Sequence, residues 1–151
     1  MTRGTDLLDA IVARQAAKPR FLEIMRIPAI DGWEPGRVWA EWVVPADFVT
    51  PAGTLFGGYF SAVADSLLGV VTFSVLEDGE FIATSQLDVR FLRPARGGDA
   101  VRCEATVVNR GSRMAHCEAV FTSVATGKLL AKASATQVIL TSERASPRED
   151  N

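Results

Sequence analysis

A single acidic residue, Asp65, interrupts a long apolar stretch of the sequence. Between Gly57 and Leu76 it is the only charged side chain. Burying a carboxylate in such surroundings is costly unless the group is paired, protonated or hydrogen-bonded. A carboxylate kept in an apolar site is also a suitable general base or nucleophile. Asp65 is therefore the first candidate for a catalytic group.

Other residues capable of catalysis or metal binding are few. The sequence contains none of the GxSxG, HExxH, CxxC, Walker A or GxGxxG patterns, which disfavours the enzyme classes built on them and gives no metal site. His116 is the only histidine and is interpreted as a surface imidazole. Strand alternation places Cys117 on the opposite face, so the two would make a poor nucleophile pair. Cys103 and Cys117 are interpreted as small core residues.

Composition and charge indicate one globular domain. The chain has 151 residues, of which 48% are hydrophobic and 23% charged, and its formal net charge is −2. This charge gives no electrostatic reason to expect a nucleic-acid partner. The two cysteines show no metal or disulfide spacing, and the N-terminus lacks the apolar core of a secretory signal. A cytoplasmic location is therefore expected.

The apolar stretch at residues 57–76 is long enough to be tested as a membrane span. Asp65 lies near its middle, where a carboxylate costs roughly 2.5–3.5 kcal/mol on insertion scales. Amphipathic segments also follow it closely. The pattern therefore favours the buried helix of a soluble domain, and no membrane association is expected.

Apolar periodicity and turn residues predict the other elements. A short helix begins at a Thr5 cap, a strand and a loop precede the long helix, and four strands follow it at 81–92, 100–109, 114–123 and 129–140. The short turns between these strands imply an antiparallel meander with one buried face. A sheet curled around the long helix, an α+β fold, is the simplest way to bury that helix.

Alternation assigns the two faces of the first of these four strands. Its apolar face comprises every second residue, with Ser85 as the exception: Phe81, Ala83, Leu87, Val89 and Phe91. Thr84 is placed on the opposite, more polar face. The predicted organisation is a helical segment at 1–20, the main domain at 21–141 and a flexible tail at 142–151.

Several short motifs together resemble one known family. They are Gly53-Thr54-Leu55-Phe56-Gly57-Gly58, Ala64-Asp65-Ser66, Ala83-Thr84, Phe91-Leu92-Arg93-Pro94-Ala95 with Gly98-Asp99, and Thr126-Gly127-Lys128-Leu129-Leu130-Ala131. This set is similar to the hotdog-fold acyl-CoA thioesterases of the phenylacetate-degradation type. The resemblance covers roughly residues 21–140, and each motif would be a weak signal alone.

The resemblance implies a fold, an assembly and an activity. The fold is an antiparallel sheet of five or six strands around a long central helix. Subunits pair their sheets edge to edge as homodimers, often assembled further into a homotetramer, with active sites at the dimer interface. Members hydrolyse acyl-CoA or aryl-CoA thioesters without a metal or an organic cofactor.

The resemblance also implies roles for individual residues. Asp65 matches the catalytic carboxylate, which acts as a general base for water or as a nucleophile, and Thr84 matches a hydroxyl that orients the water or the carboxylate. Gly58 matches the oxyanion donor, a role that its place at a helix start supports independently, because the first turn has free N–H groups and a positive dipole end. In the family, the glycine of one subunit faces the carboxylate and hydroxyl of the other.

Two departures from the family pattern affect the same site. Phe56 replaces the usual histidine before Gly57-Gly58, and Thr50 replaces an asparagine or glutamine. Losing one oxyanion-hole donor can lower the rate by about 10²–10³. The predicted substrate-binding residues are Thr50, Phe56, Gly57, Arg93 and Arg96, the two arginines being placed to contact phosphates of CoA.

Two other functions are compatible with these residues. One is a catalytically weak or inactive protein that binds acyl-CoA or another hydrophobic ligand, because Phe56 and Thr50 remove polar groups from the site. The other is a hotdog dehydratase or hydratase. Such enzymes generally need a catalytic histidine, and His116 lies far in sequence from the long helix, which disfavours this function.

Overall fold

The fold is a curved antiparallel sheet with one long helix packed against its inner face. The computed structural model describes residues 1–141, so the predicted tail at 142–151 lies outside the described residues. The elements are α1 (Arg3–Val12), α2 (Arg20–Ile24), β1 (Gly32–Glu34), β2 (Arg37–Val43), α3 (Gly57–Phe73), β3 (Glu80–Phe91), β4 (Ala100–Arg110), β5 (Met114–Ser123) and β6 (Leu129–Thr141). The α+β arrangement expected from the sequence is confirmed.

The strand order of the sheet is β1-β2-β4-β5-β6-β3, and all neighbours are antiparallel. Strands β4, β5 and β6 form the expected consecutive hairpins. The expected meander of four strands is wrong, however, because β3 pairs with β6 and occupies an edge. The alternation of apolar and polar residues indicates which face of a strand is buried, but it does not indicate which strand lies beside it. The short strand β1 falls where the sequence indicated only a turn.

Helix α3 supplies the centre of the hydrophobic core. Its buried side chains recur at helical spacing, namely Tyr59, Phe60, Val63, Ala64, Leu67, Leu68, Val71 and Thr72. They pack on the apolar inner faces of β2, β4, β5 and β6. Burying each large apolar side chain contributes about 1.5–3 kcal/mol, which fixes the helix within the sheet. Of the helices described, none combines the length and apolarity that a bilayer crossing requires.

The opposite face of α3 carries Asp65. The carboxylate is exposed in the single chain, so the expectation of a buried charge is wrong. The buried residues Val63, Ala64, Leu67 and Leu68 leave position 65 outside the buried stripe of α3. The long apolar run therefore contains a charge without burying it.

The N-terminal residues pack on the rest of the fold. Helix α1 is capped by Thr2 rather than Thr5, and Thr5 completes a capping box with it. Leu8 is fully buried and belongs to the same hydrophobic core as α3 and the sheet. The division of the chain into a segment at 1–20 and a domain at 21–141 stays a prediction.

A bulge in β3 changes the face on which its residues lie. The register with β6 shifts between Thr84 and Gln86, which leaves Ser85 between the paired positions. The residues of β3 that pack on the core are Ile82, Leu87 and Val89. Even-numbered residues therefore face inward before the bulge, and odd-numbered residues face inward after it. The expected placement of Thr84 on the polar face is therefore wrong, because an extra residue reverses the alternation. Ser85, the exception in the apolar pattern, marks the bulge.

A partly buried ion pair joins two strands that are not neighbours. The Arg110 guanidinium at the end of β4 donates a hydrogen bond to the Glu80 carboxylate at the start of β3. The two side chains are 25% and 12% exposed. This hydrogen bond lowers the pKa of Glu80, so the folded state holds the carboxylate in its charged form.

Replacing Glu80 with Gln should lower the thermal midpoint at pH 7 by a few degrees, since losing the pair costs about 1–2 kcal/mol. Because the pKa of Glu80 is lowered by folding, the stabilisation is present above its unfolded pKa of about 4.3 and is lost as the pH falls further. The thermal midpoints of E80Q and wild type should therefore converge near pH 2. The matched control is E118Q on exposed Glu118. If the thermal midpoints of E80Q and wild type differ by the same amount at pH 7 and at pH 2, the stabilising role of the Arg110–Glu80 ion pair is contradicted.

Candidate active site

Asp65 and Thr84 are in direct contact within one chain. The Thr84 hydroxyl donates a hydrogen bond to Asp65 Oδ1 over 2.9 Å, and both side chains are exposed. Asp65 reaches this contact from the outer face of α3, and Thr84 reaches it from the edge strand just before the bulge. The structure thus brings together the two residues predicted as the carboxylate and its orienting hydroxyl.

Gln137 is a third member of this group that was not singled out in the sequence. It lies opposite Thr84 in the β3–β6 register, and its Oε1 is 3.0 Å from Thr84 Oγ1. Its side chain is fully buried, and its Nε2 has no hydrogen-bond partner among the described residues. A signal for it was present in the sequence, since Gln137 is the polar member of a set of otherwise apolar alternate residues in β6: Ala131, Ala133, Ala135 and Ile139.

Gly57 and Gly58 form the first turn of α3. Phe56 is the N-cap residue and makes no capping hydrogen bond with its side chain. The N–H groups of this turn can therefore act as donors to a bound group, helped by the helix dipole. A Cβ atom added to Gly58 would lie 2.4 Å from the Phe56 ring, and one added to Gly57 would lie 3.2 Å from the Phe91 ring. Close packing of two aromatic rings is thus a second reason for glycine at both positions.

A cavity of about 580 Å³ opens beside Gly58, and the predicted residues Thr50 and Phe56 also line it. The Thr50 hydroxyl is 2.9 Å from the Thr54 hydroxyl. Phe56 is 60% exposed, so its ring makes the mouth of this cavity apolar. The structure therefore brings Thr50, Phe56 and Gly58 together, and we call this space the Gly58 cavity.

The titratable groups of the Gly58 cavity have fixed partners. The Tyr59 hydroxyl donates to Arg26 O over 2.6 Å, and burial raises the pKa of the phenol. Arg26 also donates to Asp47 over 2.6 Å, which lowers the pKa of that carboxyl. The Arg26 guanidinium lies 4.2 Å from the centre of the Phe48 ring. Asp47 is thus an ion-pair partner of Arg26, which makes it a poor candidate for a general base.

Arg93 and Arg96 lie in the loop after β3, and both are exposed. Arg93 Nη1 donates to Leu129 O over 2.9 Å, and Arg93 lines a cavity of about 300 Å³ together with Gly57. The backbone N–H of Arg96 donates to Asp99 Oδ2. The structure brings Arg93 close to the start of α3, and it leaves the Arg96 side chain outside the lining of that cavity.

A second apolar cavity of about 580 Å³ lies between α3 and the N-terminal residues. Asp65, Gly69 and Val70 of α3 form one wall, and Leu7 and Leu22 are on the other side. We call it the N-terminal cavity. Asp65 is the only acidic residue of its lining, so an apolar group in this cavity would end beside the carboxylate.

Gly58 and Asp65 are separated along α3. They are seven residues apart, which corresponds to roughly 10 Å along the helix axis. In thioester hydrolysis the attacking atom lies within about 3–3.5 Å of the carbonyl carbon while the carbonyl oxygen meets the oxyanion donor. One chain therefore presents two separated candidate half-sites, one at Gly58 and one at Asp65 and Thr84.

Other reactive side chains lie away from both halves. The thiols of Cys103 and Cys117 are buried, and burial raises the pKa of both, which confirms them as core residues. His116 is exposed on β5 and lies 3.2 Å from the Thr136 hydroxyl, which confirms it as a surface imidazole. Within residues 1–141 no group of three His, Cys, Asp or Glu side chains is placed to hold a metal ion.

The chain is similar to proteins of one known family. Residues 52–130 match the model of the thioesterase superfamily. Acyl-coenzyme A thioesterase 13 of Homo sapiens is 24% identical over 132 residues, which are 87% of this chain and 94% of that protein.

Solved structures share the fold. The phenylacetic acid degradation-related protein of Ralstonia eutropha superposes with a TM-score of 0.77 at 26% identity, covering 87% of this chain and 98% of that one. A hypothetical thioesterase of Streptococcus pneumoniae, solved with coenzyme A, gives a TM-score of 0.68 at 21% identity, covering 74% and 84% of the two chains. At this lower identity the likeness shows the fold alone.

Proposed function

This chain belongs to the thioesterase superfamily, and we propose that it hydrolyses acyl-CoA thioesters at sites shared between two copies of the chain. The observation that carries this proposal is the hydrogen bond from Thr84 to Asp65. It places an oriented, water-accessible carboxylate at the end of an apolar cavity. The name of the human relative, an acyl-coenzyme A thioesterase, supports CoA as the thiol portion of the substrate.

In the proposed reaction Asp65 acts as a general base. Thr84 holds Oδ1, and the carboxylate accepts a proton from a water molecule whose oxygen attacks the thioester carbonyl carbon. The carbonyl oxygen becomes an oxyanion, which the N–H of Gly58 stabilises at the start of α3. Collapse of this intermediate breaks the carbon–sulfur bond, and the CoA thiolate takes up a proton as the acid leaves. Direct attack by Asp65 on the thioester is the alternative route.

The distance between the two half-sites supports a homodimer. The β3 edge is twelve residues long and exposes Phe81 and Phe91, which are 36% and 53% exposed. A long unpaired edge with apolar side chains is a ready surface for a second strand. Two-fold pairing of β3 with its copy would bring Gly58 of one subunit toward Asp65 of the other, and would generate two equal sites. Further assembly into a homotetramer and a cytoplasmic location stay predictions.

The cavities suggest where the parts of the substrate bind. The thioester would lie between Gly58 of one chain and Asp65 of the other, with Thr50, Phe56 and Gly57 at the apolar mouth. The acyl group would extend from Asp65 into the N-terminal cavity, whose lining favours an aliphatic or aromatic group. Arg93 and Arg96 would contact the CoA phosphates near this mouth.

A second candidate function is binding of acyl-CoA or another hydrophobic ligand with little turnover. The Phe56 ring packs directly over Gly58, where a polar side chain would assist an oxyanion. The Thr50 hydroxyl is also engaged with Thr54. With this arrangement only the backbone N–H groups of α3 are donors to the carbonyl of a bound thioester. The side chains at positions 56 and 50 do not assist them.

Replacing Asp65 with Ala should lower the rate of acyl-CoA hydrolysis at least a hundredfold, because general-base catalysis contributes about 10²–10⁴. Release of the CoA thiol, followed with a thiol reagent across acyl chain lengths, gives the rate. D6A, the same substitution on an exposed residue of helix α1, is the matched control. Equal rates for D65A and wild type would remove Asp65 from the mechanism. Saturable acyl-CoA binding without thiol release would favour the ligand-binding function.

Mixed dimers test whether the site is shared. Gly58→Pro removes the candidate N–H in the first turn of a helix, where the backbone tolerates proline. Phe56→Ala is combined with it, because a Cβ atom at position 58 would lie 2.4 Å from the Phe56 ring. F56A/G58P and D65A should each be inactive, while F56A alone stays active. An equal mixture of F56A/G58P and D65A refolded together should recover about one quarter of wild-type activity. Half of randomly assorted dimers are mixed, and each mixed dimer has one intact site of two. An inactive mixture that still forms mixed dimers would contradict a shared site.

Filling the N-terminal cavity should shorten the preferred acyl chain. Val70→Trp occupies space beside Asp65, so each methylene that no longer fits forfeits about 0.8 kcal/mol of burial. The kcat/KM for decanoyl-CoA should fall at least tenfold, whereas that for acetyl-CoA should stay within about twofold. V124W, on an exposed residue after β5, is the matched control. An unchanged chain-length profile in V70W would show that the acyl group binds elsewhere.

A further inference from the structure

We propose that Gln137 is a positioning residue, which fixes the Thr84 hydroxyl so that its proton is directed at Asp65. This inference rests on the proposed function, in which Asp65 and Thr84 belong to the catalytic site. It adds a buried residue that does not touch the substrate and acts through Thr84.

The Thr84 hydroxyl has two hydrogen-bond neighbours and one proton. Its Oγ1 is 2.9 Å from Asp65 Oδ1 and 3.0 Å from the Gln137 side-chain amide. An ionised carboxylate can only accept, so the contact with Asp65 requires the Thr84 proton. The same proton cannot also serve Gln137. If both contacts hold with Asp65 charged, Gln137 has to donate to Thr84 through its NH₂ group.

Burial of Gln137 favours the same orientation. The two ends of a side-chain amide have nearly the same shape, so hydrogen bonding decides which end faces Thr84. With Oε1 toward Thr84, the NH₂ group is buried without a hydrogen-bond partner among residues 1–141. Turning the amide by half a rotation gives that NH₂ group an acceptor in Thr84 Oγ1. The Gln137 Oε1 oxygen is then left without a full set of hydrogen bonds, which proteins tolerate better than a buried N–H group without an acceptor.

The result is a directed chain of hydrogen bonds from Gln137 Nε2 through the Thr84 hydroxyl to Asp65 Oδ1. Thr84 needs such an anchor, because it is exposed and lies on an edge strand beside a bulge. Gln137 is on β6, which has strands on both sides and holds the residue in register with Thr84 and Ala115. A fixed donor at Oδ1 leaves the second oxygen of the carboxylate for water.

The test combines Gln137→Met, which keeps the length of the side chain and removes its hydrogen bonds, with Thr84→Val. Q137M should lower kcat for acyl-CoA hydrolysis about three- to tenfold, the worth of one neutral hydrogen bond, with KM nearly unchanged. T84V should lower kcat at least as much. The double variant should match T84V alone, because Gln137 acts through the Thr84 hydroxyl. Q15M, on an exposed residue after helix α1, is the matched control.

Gln137→Glu gives a second readout in the pH dependence. Its carboxylate would accept the Thr84 proton and take it from Asp65, so the acid limb of kcat/KM should move to higher pH. At low pH the protonated Glu can donate again, so the difference in activity between Q137E and wild type should narrow. A residue that only fills space would not move this limb. If Q137E does not fold, the cycle of Q137M and T84V still decides the proposal.

Two outcomes would overturn the inference. One is wild-type kcat and pH profile in Q137M. The other is a loss in Q137M that adds fully to that of T84V, which would show an effect independent of the hydroxyl. Failure of the proposed function is recognised separately, since D65A would then be as active as wild type. If D65A is inactive and Q137M behaves as wild type, the result supports hydrolysis by Asp65 and contradicts the positioning role of Gln137.

Discussion

Burial of one face of α3 in the curved sheet is the constraint on which the rest of the structure depends. Tyr59, Phe60, Val63, Leu67 and Leu68 fix the rotation of the helix, because turning it would expose them. Once the rotation is fixed, Asp65 lies outside the buried face of the helix, beside Thr84 of the edge strand. The hydrophobic core thus determines where the charged group lies, although that group takes no part in the core.

The edge position of β3 joins stability to the candidate site. The strand brings Thr84 beside Asp65, and its bulge turns the hydroxyl inward where plain alternation would turn it outward. Its other side has no neighbouring strand among residues 1–141. The same strand therefore positions a side chain of the candidate site and, in the proposed homodimer, would pair with a second copy. A site shared across this edge would form only in the assembled protein, which links activity to assembly.

The start of α3 has an unusual environment for polarising a carbonyl. Aromatic rings of Phe56 and Phe91 pack on Gly58 and Gly57, so the groups left to bind an oxyanion are backbone N–H groups and the helix dipole. In an apolar setting such dipoles act more strongly than in water. Replacing a polar side chain by Phe56 therefore removes one donor and lowers the local polarity around the others.

Local periodicity in the sequence determined α3, the strands β2 to β6 and the inward faces of β4, β5 and β6, because burial against one core imposes a repeat on neighbouring residues. The family motifs added Gly58, Asp65 and Thr84 as candidates. Only the tertiary structure placed β3 beside β6, reversed the face of Thr84 and brought Gln137 under its hydroxyl. These features depend on pairing between residues about fifty positions apart, and a one-residue bulge changes them without a strong local signal. The exposure of Asp65 was likewise decided by the rotation of α3 against the sheet, which no stretch of sequence specifies alone.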